Sequence, residues 1–259
     1  MKKFLLLFAL VVVAMPCGAH CPCPSNEIWY TNGSTTEPTK PRDTFDVNII
    51  SNTYYAENEC WVIKFDGEVT TIGYEAFWDC SSLTSVTIPD SVTTIGGYAF
   101  SNCYSLTSVT IPDSVTEIGY DAFESCSSLT SVTIGDSVTT IGMYAFRDCH
   151  SLTSVTIPDS VTTIEEWAFR SCSNLTSVTI SDSVTTIGNY AFIYCSRLIS
   201  VYCKAITPPA LSLNYYGDCE AFDNNALDRK IYVPMESVEA YKSAQGWSEY
   251  ASDIVGYNF

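Results

Sequence analysis

Residues 83–105 read LTSVTIPDSVTTIGGYAFSNCYS, a stretch of 23 residues that decides the fold because it recurs along most of the chain. Near-identical copies begin at Leu106, Leu129, Leu152 and Leu175. A partial copy begins at Cys60, and a decayed copy begins at Leu198. A fixed period of this length predicts a solenoid, in which each copy forms one coil and neighbouring coils bury a common core.

The copy that begins at Leu106 illustrates the local structure expected of every coil. Its opening LTSVTI alternates between apolar and polar side chains and is rich in β-branched residues, which favours a strand. Residues 112–114, PDS, are typical of a turn. Gly119 permits a second sharp turn, and residues 122–126, AFESC, place apolar side chains at helical spacing.

The predicted fold class is therefore an α/β repeat solenoid over residues 60–203. We expect a curved, right-handed superhelix of about six or seven coils, with parallel strands on one face and short helical turns on the other. Open solenoid ends expose apolar side chains and strand edges, so a cap is expected at each end.

Both flanking segments have the composition of a cap. Residues 20–59 are predicted to form an N-terminal β cap, in which strands at 28–30 and 47–50 make a hairpin around an exposed polar loop. Residues 204–259 are predicted to be a degenerate last repeat and a C-terminal helical cap. Its helix, within residues 236–250, offers as docking residues Val238, Tyr241 and Trp247.

The repeated motif resembles the BspA-type leucine-rich repeat of bacterial surface proteins. The pattern IPDSVTTIGxxAFxxCxSLTSV carries the resemblance, through Ile88-Pro89-Asp90-Ser91-Val92, Ile95-Gly96, Ala99-Phe100, Cys103, Leu106 and their copies. Residues 231–247, IYVPMESVEAYKSAQGW, look like the C-terminal segment of such proteins in gut and oral Bacteroidetes. The resemblance implies surface display and adhesion or host-protein binding. Glu165 departs from the pattern by replacing the turn glycine, so either that turn needs no positive φ or that coil is distorted.

The first 19 residues are typical of a secretory signal peptide. Lys2 and Lys3 precede an apolar run over residues 4–15, and cleavage is expected after Ala19. The run is too short to span a membrane comfortably, and no other segment of the sequence qualifies. The protein is therefore expected to be extracellular or on the cell surface. Lipid anchoring through Cys17 or Cys21 is a less favoured alternative.

The charge and the cysteines narrow the class of partner and the redox chemistry. Removal of the signal takes the net charge from -17 to -19, which disfavours nucleic acid and anionic membranes as partners. Half of the 12 cysteines recur every 23 residues and are interpreted as small buried hydrophobes with free thiols: Cys80, Cys103, Cys126, Cys149, Cys172 and Cys195. Pairing along this ladder is an alternative, although disulfides are more expected outside it, for instance between Cys203 and Cys219.

The sequence offers no recognisable catalytic constellation. The two histidines are His20, at the expected mature N-terminus, and His150, at a position that other copies fill with Ser or Tyr. No P-loop, Rossmann glycine fingerprint, HExxH or GxSxG pattern is present. We therefore expect a non-catalytic protein without a metal or cofactor.

Two surfaces are candidates for binding. Strand alternation points the hydroxyls of the repeated SVT segments outward, and these are Ser108, Thr110, Ser131, Thr133, Ser154, Thr156, Ser177 and Thr179. The alternative is that they are simply soluble strand formers. A second set shares one variable position and could contact sugar or protein: Tyr98, Tyr144, Trp167 and Tyr190. Its alternative is packing between coils.

Two charged sets have weaker claims. A ladder of aspartates could hold calcium, although Asp after Pro is also ordinary turn chemistry: Asp90, Asp113, Asp136, Asp159 and Asp182. Arg147 and Arg170 lie one repeat apart and could simply neutralise nearby acids such as Asp148 and Glu165.

The leading functional hypothesis is a secreted or cell-surface module that binds a host or neighbouring-cell extracellular protein. The first rival is a carbohydrate-binding accessory protein, whose partner would be a glycan. The second is a structural spacer without a discrete ligand. The near-identical copies describe architecture more than specificity, so the sequence does not choose the ligand.

Overall fold

A computed structural model describes residues 24–33, 41–42 and 44–259. The predicted signal peptide lies outside the described residues, and so does most of the predicted polar loop. In the part of the chain that is described, no helix is long and apolar enough to cross a membrane.

The described chain begins with three strands and then alternates between short strands on two sides of a solenoid. The first strands are β1 (Glu27–Thr31), β2 (Ile49–Tyr55) and β3 (Cys60–Phe65). The alternating strands are β4 (Thr71–Ile72), β5 (Ser85–Thr87), β6 (Thr94–Ile95), β7 (Ser108–Thr110), β8 (Glu117–Ile118), β9 (Ser131–Thr133), β10 (Thr140–Ile141), β11 (Ser154–Ile157), β12 (Thr163–Ile164), β13 (Ser177–Ile180), β14 (Thr186–Ile187), β15 (Ser200–Cys203) and β16 (Ala210–Leu211). The chain ends with β17 (Lys230–Pro234), the short helix α1 (Val238–Ser243) and β18 (Ile254–Tyr257).

Successive coils stack through parallel strands. Strands β4, β6, β8, β10, β12, β14 and β16 form one seven-stranded sheet. On the other side β11, β13, β15, β17 and β18 form a five-stranded sheet, and β7 pairs with β9. Equivalent residues of successive copies are partners, such as Ile141 with Ile164 and Val155 with Val178. The predicted coil of about 23 residues is confirmed, but the β-solenoid has about eight turns, not the six or seven predicted, because both flanking segments add strands to the stack.

The core consists of ladders in which the same apolar residue type repeats from coil to coil. The repeated Leu, Val, Ile, Ala, Phe and Cys positions are almost all buried along the solenoid. The phenylalanine rings stack nearly parallel, with neighbouring centroids 5.0 to 5.3 Å apart, and they are Phe77, Phe100, Phe123, Phe146, Phe169, Phe192 and Phe222. One coil cannot bury these side chains alone, so the stacking of coils supplies the stability.

The segment predicted to be helical forms consecutive turns in every coil. In residues 96–103, Tyr98 and Asn102 adopt positive φ values of 56° and 61°, which a right-handed helix does not allow. Alternate N–H groups of this run donate to carbonyl oxygens of the next coil at 2.7 to 3.0 Å: Tyr98 to Tyr120, Phe100 to Ala122, and Asn102 to Glu124. Hydrogen bonds between coils therefore replace helical bonds within the coil. Helical spacing alone could not distinguish the two patterns.

The turn glycine serves close approach between coils, not positive φ. A Cβ on Gly119 would lie 2.7 Å from the carbonyl carbon of Gly96 in the preceding coil. The backbone N–H of Glu165 donates to the Ile141 oxygen at 3.0 Å, as Gly142 does to the Ile118 oxygen. The departure from the repeat at Glu165 therefore leaves the bond between coils intact.

The N-terminal segment forms an antiparallel sheet in the order β2-β3-β1-β5. The predicted strand at residues 28–30 lies within β1, whereas the one predicted at 47–50 forms only from Ile49 onward. These two strands do not pair as a hairpin, because β3 lies between them and pairs with both. Strand β1 also pairs with β5, with Trp29 opposite Thr87. It therefore covers the strand edge that β5 would otherwise expose.

All three residues predicted to dock the C-terminal segment pack against the core. Only α1 is α-helical, and short 3₁₀ turns at Met235–Ser237 and Trp247–Tyr250 complete the predicted helical region. Tyr241 and Trp247 are fully buried, whereas Val238 is half-buried. The Tyr241 hydroxyl donates to the Ala205 oxygen at 2.8 Å, and the Trp247 indole donates to the Pro209 oxygen at 2.7 Å.

Five ladder cysteines are buried free thiols, as the repeat predicted, and they are Cys103, Cys126, Cys149, Cys172 and Cys195; Cys80 is buried as well. Thiol groups in the ladder donate to a backbone oxygen of the preceding coil, as Cys149 does to Phe123 at 3.2 Å. The suggested disulfide between Cys203 and Cys219 is wrong, since both thiols are free and buried. They face different tyrosine hydroxyls: the Cys203 sulfur lies 3.2 Å from that of Tyr241 and the Cys219 sulfur 3.9 Å from that of Tyr250.

Burial is expected to make the ladder thiols unreactive in the native protein. It raises the pKa of the Cys80 thiol to about 11 and that of Cys126 well above its usual range. Because the thiolate is the reactive form, iodoacetamide at pH 8 should label these residues only after unfolding. Mass spectrometry of native and guanidinium-unfolded protein measures this directly. Rapid native labelling of Cys126 would contradict the buried ladder.

The same pKa shift predicts how stability depends on pH. The folded thiol of Cys80 stays protonated where the unfolded thiol ionises. The stability associated with this residue is therefore complete below the unfolded pKa of about 8.5. It is lost progressively as the pH rises through the folded pKa of about 11.

Candidate binding surfaces

The predicted hydroxyl surface exists, but it is fully exposed only in the middle of the solenoid. The outward residues of β7, β9 and β11 are exposed, namely Ser108, Thr110, Ser131, Thr133, Ser154 and Thr156. In β13, Ser177 and Thr179 are half-buried. The strand partner of Thr179 is Tyr202, and a larger neighbour at this position reduces the exposure of the threonine.

A concavity of about 630 Å³ lies on this surface. Hydroxyls of β9 and β11 line it together with charged side chains that end the neighbouring turns: Ser131, Thr133, Ser154, Thr156, Asp136, Asp159 and Lys204. The concavity thus combines uncharged donors and acceptors with charges of both signs. Apolar side chains also line it, and they are Val132, Ile134, Ile157 and Pro158. The concavity is therefore mixed in polarity, as protein interfaces usually are.

A tyrosine cluster extends the same sheet towards the C-terminus. Tyr202 and Tyr232 are strand partners that continue the row of Thr156 and Thr179. Their rings stack with centroids 4.8 Å apart, and the Tyr257 ring meets both edge-on at 5.6 and 5.5 Å. Tyr257 is 42% exposed. We call the exposed residues of β7, β9 and β11 with these three tyrosines the hydroxyl–tyrosine face.

This cluster lies outside the predicted site residues, although its signal is present in the sequence. In the decayed copies VYC (201–203) and IYV (231–233), tyrosine occupies the outward position that threonine holds in regular copies. The regular copies instead suggest aromatic contacts at the variable position on the turn side, which holds Tyr98 and its counterparts. The residues that distinguish this surface therefore lie in the most diverged copies.

The predicted aromatic set lies on the turn side and is only half-buried. Tyr144 and Trp167 stack at 6.0 Å, and Trp167 and Tyr190 stack at 3.9 Å. Tyr98 instead packs edge-on against Tyr120 of the next coil, at 5.2 Å. Because these rings cover one another along the solenoid, the geometry favours the packing alternative for them.

The aspartate ladder is exposed and forms turn contacts. The Asp113 carboxylate accepts a hydrogen bond from the backbone N–H of Asp136 at 2.9 Å. Within the described ranges, no group of three His, Cys, Asp or Glu side chains is arranged to hold a metal ion. The turn alternative is thus favoured over calcium.

The two arginines differ in their surroundings. Arg147 forms an ion pair with Glu124 and a second, at 3.4 Å, with Asp148, which bears out neutralisation for this residue. The Arg170 guanidinium instead lies over the Trp167 ring at 5.3 Å and the Tyr194 ring at 5.9 Å.

The geometry defines the class of protein first: parallel strands in equal register, buried residue ladders and a 23-residue period form a leucine-rich-repeat solenoid. A sequence model described as a BspA type leucine rich repeat region matches six copies, over residues 47–142 and 116–227. The chain therefore belongs to the BspA-type leucine-rich repeat family. Among curated proteins, no match to the sequence was found.

Solved structures share the fold. The leucine-rich repeat protein TpLRR of T. pallidum is 32% identical, with a TM-score of 0.54, over 62% of this chain and 75% of that one. The pneumococcal vaccine antigen PcpA is 17% identical, with a TM-score of 0.52, over 68% of this chain and 42% of that one. At that identity the second likeness shows the fold alone.

Proposed function

We propose that this protein is a secreted or cell-surface, non-catalytic module that binds an extracellular protein of a host or neighbouring cell. Membership of a family of bacterial surface repeats and the predicted signal peptide support the location. The fold typically carries binding, and solenoids present extended faces to their partners. The handedness and the capping roles of the two ends remain predictions.

The observation that carries the proposal is the hydroxyl–tyrosine face. A concavity of about 630 Å³ on β9 and β11 lies one strand away from a cluster that includes the 42%-exposed Tyr257 and, beyond it, Phe259, which is 52% exposed. Tyrosine supplies a large contact area at a small entropic cost and is enriched at the energetic centres of protein interfaces. The hydroxyls around it can satisfy polar groups of the partner without a buried charge.

A protein partner fits this face better than a glycan does. A sugar that stacks on an aromatic platform needs an open ring face. Here Tyr202 and Tyr232 cover each other at an interplanar angle of 14°, and Tyr257 presents an edge to both rings. The cluster therefore offers ring edges and hydroxyls, which suit an irregular polypeptide surface.

The repeat itself supplies a variant that tests the proposal. Tyr202→Thr with Tyr232→Thr restores the residue that regular copies hold at this position, so the coil should still form. Residues 20–259 would be screened by biolayer interferometry against extracellular-matrix proteins. For a partner found, the double variant should weaken binding at least about tenfold, since central tyrosines are frequent hot spots.

Tyr104→Ser is the matched control. Tyr104 is 46% exposed on the turn side, and serine holds its position in several other copies. We expect its affinity to equal that of the parent protein. Equal losses in both variants, or full affinity in the double variant, would show that the partner does not use the hydroxyl–tyrosine face.

A further inference from the structure

One turn position varies along the solenoid and holds arginine in two successive coils, of which, within the described part of the chain, only the second lacks a carboxylate partner. The position is occupied by Ser101, Glu124, Arg147, Arg170 and Ile193. Arg147 is neutralised by Glu124 of the preceding coil and by Asp148, its neighbour in sequence. For Arg170, the residue equivalent to Glu124 is Arg147 and the residue equivalent to Asp148 is Ser171. Arg170 therefore lacks both carboxylates that neutralise Arg147, and one of the two positions holds a second cation, Arg147 itself.

No other carboxylate compensates for this loss. Among the described residues, none lies within ion-pair distance of Arg170, in a protein whose net charge is -17. The Nε atom of Arg170 is buried and has no hydrogen-bond partner, as is also the case for the Nε atoms of Arg147 and Arg229. A guanidinium has five N–H donors and no acceptor, so this side chain retains unused donors.

Two aromatic rings hold the guanidinium in place. Trp167 belongs to the same turn, whereas Tyr194 comes from the next coil, at the position equivalent to Ser171 and Asp148. Cation–π contact uses the face of the guanidinium and none of its N–H donors, so the Nη groups, unlike the buried Nε, keep their hydrogens for an anion. The arginine is therefore oriented before any ligand arrives, which lowers the entropic cost of binding one.

We propose that Arg170, with Tyr194 and Trp167, binds the carboxylate of an acidic sugar residue, such as a sialic or uronic acid. A planar carboxylate matches the guanidinium fork in a two-point hydrogen bond. A carboxylate carries one negative charge, equal to the one uncompensated charge of Arg170. A phosphate would bring excess negative charge to an already acidic protein.

The ring beside the arginine favours a sugar as the carrier of that carboxylate. Tyr194 is 48% exposed. Aromatic ring faces carry partial negative charge, so they attract the weakly positive C–H groups that line one side of a pyranose. The site spans only two coils, which suits a terminal monosaccharide unit. It lies on the turn side and is independent of the hydroxyl–tyrosine face, so either proposal can fail without the other.

The test uses residues 20–259 and four small probes: sialyllactose, a glucuronic-acid disaccharide, lactose and a blocked Gly-Glu-Gly tripeptide. Binding is measured by saturation-transfer NMR and titration. We expect at least one acidic sugar to bind and lactose not to bind. If neither acidic sugar binds at up to about 10 mM, or if lactose or the tripeptide binds equally well, the proposal is overturned.

Three variants borrowed from other copies locate the site. Arg170→Ser takes the residue of Ser101 and should weaken binding at least about tenfold. Tyr194→Ser takes the residue of Ser171 and should weaken it about threefold to tenfold. Arg197→Asn takes the residue of Asn174 and is the control, because it removes the same charge from the adjoining coil. If Arg197→Asn loses as much affinity as Arg170→Ser, the attraction is unspecific electrostatics and the site is refuted.

Discussion

Replacing Phe146 by Ala is expected to lower the free energy of unfolding by about 3–5 kcal/mol, the usual cost of truncating a buried Phe. Phe146 is fully buried and stacks on Phe123 at 5.3 Å and on Phe169 at 5.2 Å. The substitution leaves a cavity that both neighbouring coils line. Because stacked parallel strands fix the distance between coils, the rings cannot close it by moving together.

Guanidinium denaturation followed by circular dichroism measures this loss, and the exposed Tyr104→Ser is a suitable control. A solenoid is stabilised mainly by contacts between neighbouring coils. A weakened central coil should therefore uncouple the two halves and broaden the transition, whereas Tyr104→Ser should leave it unchanged. A Tm within about 1 °C of the parent for Phe146→Ala would show that Phe146 does not belong to the core.

The regular part of the fold was predictable because one physical constraint repeats in every coil. A residue such as Leu152, which must be buried in each coil, leaves the same letter at the same spacing. The parallel strands, the burial of the Phe and Cys ladders and the outward direction of Thr133 all follow from that regularity. The family assignment follows from the same letters.

The turns were not predictable from spacing alone. Ala122, Phe123 and Cys126 are equally compatible with a helix and with the observed turns, in which all three are buried. What decides between them is the partner of each N–H group. The Phe123 N–H donates to Ala145 of the next coil, a contact that no single copy contains.

The sequence indicated the candidate sites less well than the fold, because the proposed sites lie where copies depart from the repeat. Tyr232 stands where regular copies hold threonine. Arg170 repeats Arg147 one coil later, but without the carboxylates that neutralise Arg147. Arg147 and Arg170 look alike in the sequence, and the lack of an ion-pair partner for Arg170 emerges only when the carboxylates around Arg147 are located in space. In a protein built from near-identical copies, the copies that diverge are therefore the best places to look for candidate sites.

Replacing Trp247 by Ala is expected to release the C-terminal segment, with a loss of about 3–5 kcal/mol in the local free energy of unfolding. The Trp247 indole is fully buried, packs 4.9 Å from the Tyr241 ring and 5.8 Å from the Phe222 ring, and donates its N–H to Pro209. It therefore joins the C-terminal segment to Phe222, the last residue of the phenylalanine ladder. Hydrogen exchange should show faster opening of residues 230–257 while the central coils stay protected.

Trp247→Phe separates packing from hydrogen bonding. It keeps most of the apolar volume but leaves the buried Pro209 oxygen without its donor, which costs about 1–3 kcal/mol. Strand β18 carries Tyr257, so only the larger opening should also remove this ring from the hydroxyl–tyrosine face. Binding through that face should fall in Trp247→Ala and persist in Trp247→Phe. Unchanged exchange in Trp247→Ala would mean that other contacts, such as the pairing of β17 with β18, hold the segment without the indole.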